Sequence, residues 1–121
     1  MERADENTNI SYLILKVREF LEERDWKKYQ IPKDLAESIC IEAAELLQLF
    51  QWTKPEENEQ LKSKSSEVQR TKEELADVVI YCLSMADTLN IDLTSAILDK
   101  PEQNKKKYPA KLYKGKAYFA P

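Results

Sequence analysis

No histidine occurs among the 121 residues, and glycine occurs once. The first absence excludes imidazole metal ligands, histidine-based triads and histidine proton shuttles, so any chemistry must run on carboxylates, lysine, tyrosine or metal-bound water. A single glycine and five prolines leave few turn signals, while 34% charged and 42% hydrophobic residues supply many helix formers; a sheet-rich fold is disfavoured and an all-α one expected. Cysteine is scarce too. Cys40 and Cys82 each fall inside an apolar helical pattern and read as reduced core thiols, not as a disulfide or a metal site. Long hydrophobic runs are missing: the longest, Val78 to Leu83, is far too short to span a bilayer, and the opening MERADENTN has no apolar centre of a secretory signal. A cytoplasmic location is expected. A net charge of -3 gives no general attraction to nucleic acid or anionic membrane.

The length suits one domain, taken as residues 1–121. Ile10, Leu13, Ile14, Val17, Phe20 and Leu21 form one stripe of a first helix, capped at Asn9 or Thr8 and ending near Asp25. Pro32 is placed to open a second helix reaching about Gln51. Thr53 to Ser65 is polar and reads as a loop. A third helix from near Ser66 to about Asn90 carries Leu75, Val78, Val79, Cys82, Leu83, Ala86 and Leu89 at helical spacing, and Asp92 looks like the cap of a fourth. Pro101 should kink that fourth helix or divide it in two, because proline removes a donor and clashes with the preceding turn. Residues 109–121 read as an extended tail. The expectation is an antiparallel bundle of four main helices.

The stretch ICIEAAELLQLFQW, Ile39 to Trp52, is apolar yet holds Glu42 and Glu45 in its middle. Ionised carboxylates in apolar surroundings cost several kcal/mol unless compensated, and the segment brings no cation. Glu74 and Asp77 repeat the same three-residue spacing in the third helix. Other acidic pairs share that spacing but lie on solvated faces; around a helical wheel, Glu42 falls inside the apolar arc, and Glu74, Asp77 and Tyr81 are bracketed by Val78 and Ile80. If the two faces meet, four like charges converge and take up protons unless a cation intervenes. Oxygen ligands alone favour a hard ion, Mg²⁺ with Mn²⁺ possible, and Mg²⁺ binds a few carboxylates together with substrate phosphates.

These residues, E-x-x-E (Glu42, Glu45) followed after 28 intervening residues by E-x-x-D (Glu74, Asp77), resemble the all-α nucleoside triphosphate pyrophosphohydrolases, the MazG-like proteins. ERDW (Glu23 to Trp26), ELLQLFQW (Glu45 to Trp52), EELADVVIYCL (Glu73 to Leu83), IDL (Ile91 to Leu93) and NKKKYP (Asn104 to Pro109) are similar to the dCTP pyrophosphatase branch in order and separation. The resemblance implies a homo-oligomer, expected to be a tetramer, with sites built from more than one subunit. It implies Mg²⁺-dependent hydrolysis of a nucleoside triphosphate, dCTP or a modified dCTP, to monophosphate and pyrophosphate, with Glu42, Glu45, Glu74 and Asp77 as metal ligands and catalytic residues. Trp26, Trp52, Tyr81 and Asn104 match positions used around base and sugar, and Lys100, Lys107 and Tyr108 fall where phosphate-facing residues belong. Some dCTP pyrophosphatases carry a histidine near the base where this chain has Val17, which offers no hydrogen bond.

In this reading a water attacks the α-phosphorus in line, and Glu45 orients or deprotonates it, since no histidine can. Two alternatives stand beside it. The same enzyme could act on dUTP or another non-standard nucleotide, and a non-catalytic helical oligomerisation module could use the wide apolar faces for a partner.

Overall fold

A computed structural model describes residues 2–116. Among them are six α-helices: α1 (Ile10–Glu23), α2 (Pro32–Gln48), α3 (Pro55–Asn58), α4 (Ser65–Leu89), α5 (Leu93–Lys107) and α6 (Ala110–Tyr113). Three short 3₁₀ turns accompany them, Asp5–Asn7 before α1, Lys27–Tyr29 between α1 and α2, and Leu61–Ser63 between α3 and α4, and no strand is present among the described residues. The chain divides into two compact units, Met1–Asn90 and Ile91–Pro121.

Local chemistry explains the helix ends in the first unit. The Asn9 carboxamide oxygen accepts the Tyr12 N–H at 2.9 Å and so starts α1. The helix stops at Glu23, two residues before the expected end, because Asp25 turns into the left-handed region at φ 55° and the Trp26 N–H folds back onto the Leu21 carbonyl at 2.8 Å. Pro32, whose missing N–H costs nothing in a first turn, opens α2, which ends at Gln48 instead of Gln51; residues 49–52 form turns. The segment expected to be loop holds α3 and the Leu61–Ser63 turn, with Pro55 at the start of α3. Asn90, left-handed at φ 54°, closes α4.

Within this unit α4 packs mainly against α2 and secondarily against α1. Among the described residues the buried apolar set is small, Leu35 of α2 with Leu83 and Ala86 of α4, joined by Ser84. Large apolar side chains stay open on the outer faces, among them Ile41 at 58% and Leu47 at 61% exposure. Cys40, expected in the core, is exposed and Cys82 half-buried; both are free thiols. The cause for Cys40 is that only one narrow arc of α2 meets α4, and its apolar residues are spread wider than that arc.

A charge cluster ties α1 and the following turn to α4. Asp87 accepts from Arg18 through Nη2 at 2.6 Å and Nε at 3.2 Å, and from Lys27 Nζ at 2.9 Å. The guanidinium, with the ammonium beside it, outweighs burial and holds the Asp87 carboxyl down to about 2, below the ordinary 3.8. The sign follows from that lowering: the folded state binds fewer protons than the unfolded one, so this stabilisation is complete above about pH 4 and is lost as pH falls through 2.

In the second unit Asp92 caps α5 by accepting the Ser95 N–H at 2.9 Å. Pro101 sits inside α5, which is not divided into two segments as one expectation had it; the helix runs from Leu93 to Lys107 with one donor fewer. The expected extended tail begins with the helical turn α6, and Tyr113 of that turn meets the Tyr108 ring edge-on at 5.2 Å between centroids. The rest of that expectation, beyond residue 116, lies outside the described residues. No helix among the described residues is long and apolar enough to cross a membrane.

Replacing Leu83, 6% exposed, by alanine is expected to cost about 2–5 kcal/mol of unfolding free energy, against about 1 kcal/mol for Asn9→Ala at the α1 cap. Urea titrations of the two variants compare them directly, and equal losses would deny that Leu83 is the centre of the core.

Candidate functional site

The packing of α2 on α4 brings Glu42, Glu45 and Glu74 together. One carboxylate oxygen from each lies within 4.8 Å of the other two, close enough for all three to reach a single ion. The spacing is helical in origin: Glu42 and Glu45 stand one turn apart on α2, and α4 lays Glu74 against them. Glu42 and Glu74 are half-buried and Glu45 is exposed. One oxygen of Glu42 and one of Glu74 are fully buried with no hydrogen-bond partner. Among the described residues no lysine or arginine pairs with these three or with Asp77. Burial first, then the neighbouring carboxylates of Glu45 and Asp77, push Glu42 and Glu74 above the ordinary carboxylate range. Asp77 is felt electrostatically by both, although it stands outside the tight group of three.

A groove of about 490 Å³ adjoins Asp77. One wall comes from α1 and the turn after it, with Val17, Phe20, Leu21, Trp26 and Gln30; the other is α4, with Asp77, Ile80, Tyr81 and Ser84, and Lys16 stands at the edge. Trp26 is 46% exposed and meets the Phe20 ring edge-on, centroids 5.9 Å apart. The site therefore joins an acidic, cation-poor cluster to an aromatic and aliphatic slot.

A family model described as the MazG-like family matches residues 37–117, more than half of the chain and inclusive of all four carboxylates. The chain belongs to the MazG-like family. Among curated proteins it is similar to dCTP pyrophosphatase 1 of Bos taurus, 36% identical over 82% of this chain and 59% of that protein. The protein of the same name from Homo sapiens is 37% identical over 78% of this chain and 55% of its own length. The chain thus spans somewhat over half the length of the curated relatives it matches. Among solved structures it is similar to a pyrophosphatase of Archaeoglobus fulgidus, 42% identical, with a TM-score of 0.74 over 89% of this chain and 99% of that one.

The expected MazG-like site residues fall into four groups. Glu42, Glu45 and Glu74 gather directly, and Asp77, Tyr81 and Trp26 line the adjoining groove. Trp52, on the turn after α2, is 85% exposed and is not part of that groove lining. Lys100, Asn104, Lys107 and Tyr108 belong to α5 and its C-terminal cap in the second unit. There the Asn104 carbonyl accepts the Tyr108 N–H at 2.7 Å, and Lys107 Nζ lies 5.4 Å from the Tyr108 ring centroid.

Sequence reasoning did not single out Phe20, Gln30 or Ser84 as groove residues. Phe20 was visible on the α1 stripe, but a stripe does not separate core from cavity wall. Gln30 and Ser84 carry no local signal, since 54 positions separate them and only tertiary packing makes them neighbours.

The raised values at Glu42 and Glu74 mean that the folded state holds protons the unfolded state has released, so stability without added cation should fall as pH rises from 4.5 through the folded-state values. Glu42→Gln, which removes one desolvated charge, should raise the thermal midpoint by a few degrees at pH 8 and leave it nearly unchanged at pH 4. Scanning fluorimetry across that range in EDTA decides it; a variant destabilised equally at both values contradicts the electrostatic origin.

Proposed function

We propose that this chain is a Mg²⁺-dependent nucleoside triphosphate pyrophosphohydrolase that cleaves dCTP or a modified dCTP between the α and β phosphates, releasing monophosphate and pyrophosphate. One observation carries the reading: three carboxylates converge, two of them with buried oxygens lacking any partner, and the protein supplies no cation to balance them. The donor set fits a hard divalent ion, because it offers only oxygens and neither imidazole nor thiolate, with Mg²⁺ favoured and Mn²⁺ an acceptable substitute. The names borne by the similar proteins, dCTP pyrophosphatase and pyrophosphatase, support the reaction class.

Glu42, Glu45, Glu74 and Asp77 would hold the cation, which when bound would neutralise triphosphate charge and supply Lewis-acid chemistry. Glu45, the exposed member, orients or deprotonates the water that attacks the α-phosphorus as the bond to the β-phosphate oxygen breaks. Trp26 and Tyr81 wall the slot for the base, where stacking contributes about 1–3 kcal/mol. By resemblance, Trp52 and Asn104 also face base and sugar, and Lys100, Lys107 and Tyr108 face phosphates. The MazG-like match runs across both units, which supports treating residues 1–121 as one domain.

Exposed apolar faces on α1, α2 and α4 are more than an isolated chain of this size normally leaves in water, so self-association, as a homotetramer, completes the fold. Reduced thiols fit a cytoplasmic setting, and no nucleic-acid or membrane partner is invoked.

A panel of nucleoside triphosphates with Mg²⁺, scored for pyrophosphate against orthophosphate, tests the proposal. Pyrophosphate release, greatest with dCTP or a 5-substituted dCTP, is expected, and EDTA should abolish it. Glu42→Gln or Asp77→Asn should lower kcat at least about a hundredfold with helix content unchanged. Orthophosphate as product would contradict the bond assignment, and preference for dUTP would replace the base. No turnover together with no Mg²⁺-induced thermal shift would leave only the non-catalytic oligomerisation module. Sedimentation should give four times the chain mass; a monomer would overturn the assembly.

A further inference from the structure

We propose that Asp87, ten residues beyond Asp77 on α4 and absent from the groove lining, is a positioning residue that holds the Trp26 wall of the groove against α4 and thereby sets substrate affinity. This inference rests on the reading of that groove as the nucleotide site.

Three observations support it. Asp87 is a single carboxylate serving two cations from different elements, Arg18 of α1 and Lys27 of the turn that begins immediately after Trp26. Its side chain is 16% exposed while Arg18 and Lys27 are 39% and 38% exposed, so the pairing is sheltered enough to keep its geometry in salt. The next residue, Thr88, donates its hydroxyl to the Gln30 carbonyl at 3.4 Å. The end of α4 therefore grips both sides of the 26–30 segment, through Lys27 and through Gln30.

The other bonds of that segment are local. Trp26 follows Asp25, a non-glycine residue at φ 55°, and is held by its own N–H on Leu21, by the Tyr29 N–H and the Gln30 side chain donating to its carbonyl at 3.0 and 3.1 Å, and by the Phe20 ring. These contacts fix Trp26 to its own turn and to α1; none of them fixes that turn to α4, which carries the opposite wall. Asp87 makes that link, with the Thr88 hydroxyl as the weaker second tie. Removing its charge frees Lys27 and leaves two neighbouring cations to repel, so the slot width should become variable. An aromatic wall that must be ordered on binding lowers affinity without altering the reacting groups.

Asp87→Asn tests this, with Asp87→Glu as the conservative variant and Lys27→Met, which removes one ion pair only, as a milder probe should Asp87→Asn fold poorly. Trp26 emission is read without nucleotide in a Trp52→Phe background, so that it does not depend on activity. The expected result is a red-shifted, more quenchable emission in Asp87→Asn and, to a smaller degree, in Lys27→Met, with Asp87→Glu near wild type. With Trp52 intact, KM for the preferred triphosphate should rise about tenfold and kcat stay within about twofold. Unchanged emission overturns the clamp, whatever the kinetics show. So does a fall in kcat at constant KM. A shifted emission with unchanged KM overturns the substrate role of Asp87 and denies that the groove takes the nucleotide, while Mg²⁺-dependent pyrophosphate release would still stand.

Discussion

Charge without an internal partner governs this molecule. Glu42 and Glu74 are drawn out of water by the contact of α2 with α4, and no lysine or arginine among the described residues pairs with them. Hydrophobic burial along that contact has to outweigh the desolvation of two carboxyls and their repulsion by Glu45 and Asp77, which is why both titrate above the ordinary range. Such an arrangement stores unfavourable free energy, which the proposed cation would relieve. Site and fold are thus in opposition at this contact.

The opposite design appears at Asp87. There the carboxyl meets a bidentate guanidinium and an ammonium, and its titration is driven down to about 2. Both carboxyl sites involve α4, and they differ only in whether the protein supplies the countercharge. Where it does, the pair closes α1 and its following turn onto α4; where it does not, the position is left open to a ligand. The thin core makes these polar features matter more, since among the described residues only Leu35, Leu83 and Ala86 are buried apolar side chains.

Much of the helical framework was legible in advance because its signals are local. Asn9 and Asp92 announced caps that the structure fills with the Tyr12 and Ser95 amides, and Pro32 marked the start of α2. The clustering of Glu42, Glu45 and Glu74 was also legible, because a charge inside an apolar arc has no place to go except an interior or a ligand. Expectations failed where a local pattern had several tertiary outcomes. Cys40 lies in an apolar run but on an arc that α4 does not cover, and of the two outcomes offered for Pro101 the division of the fourth helix is not seen, since α5 runs on through it.

The sequence by itself determined the four long helices, the Asn9 and Asp92 caps and the carboxylates that needed a partner, since each follows from residues within one or two turns of each other. Tertiary structure alone decided which apolar residues form the core, that Trp26 and not Trp52 lines the groove, and that Asp87 meets Arg18 and Lys27 across 69 and 60 positions. The reason is physical: periodicity tells which way a side chain points from its own helix axis, but not what stands opposite it.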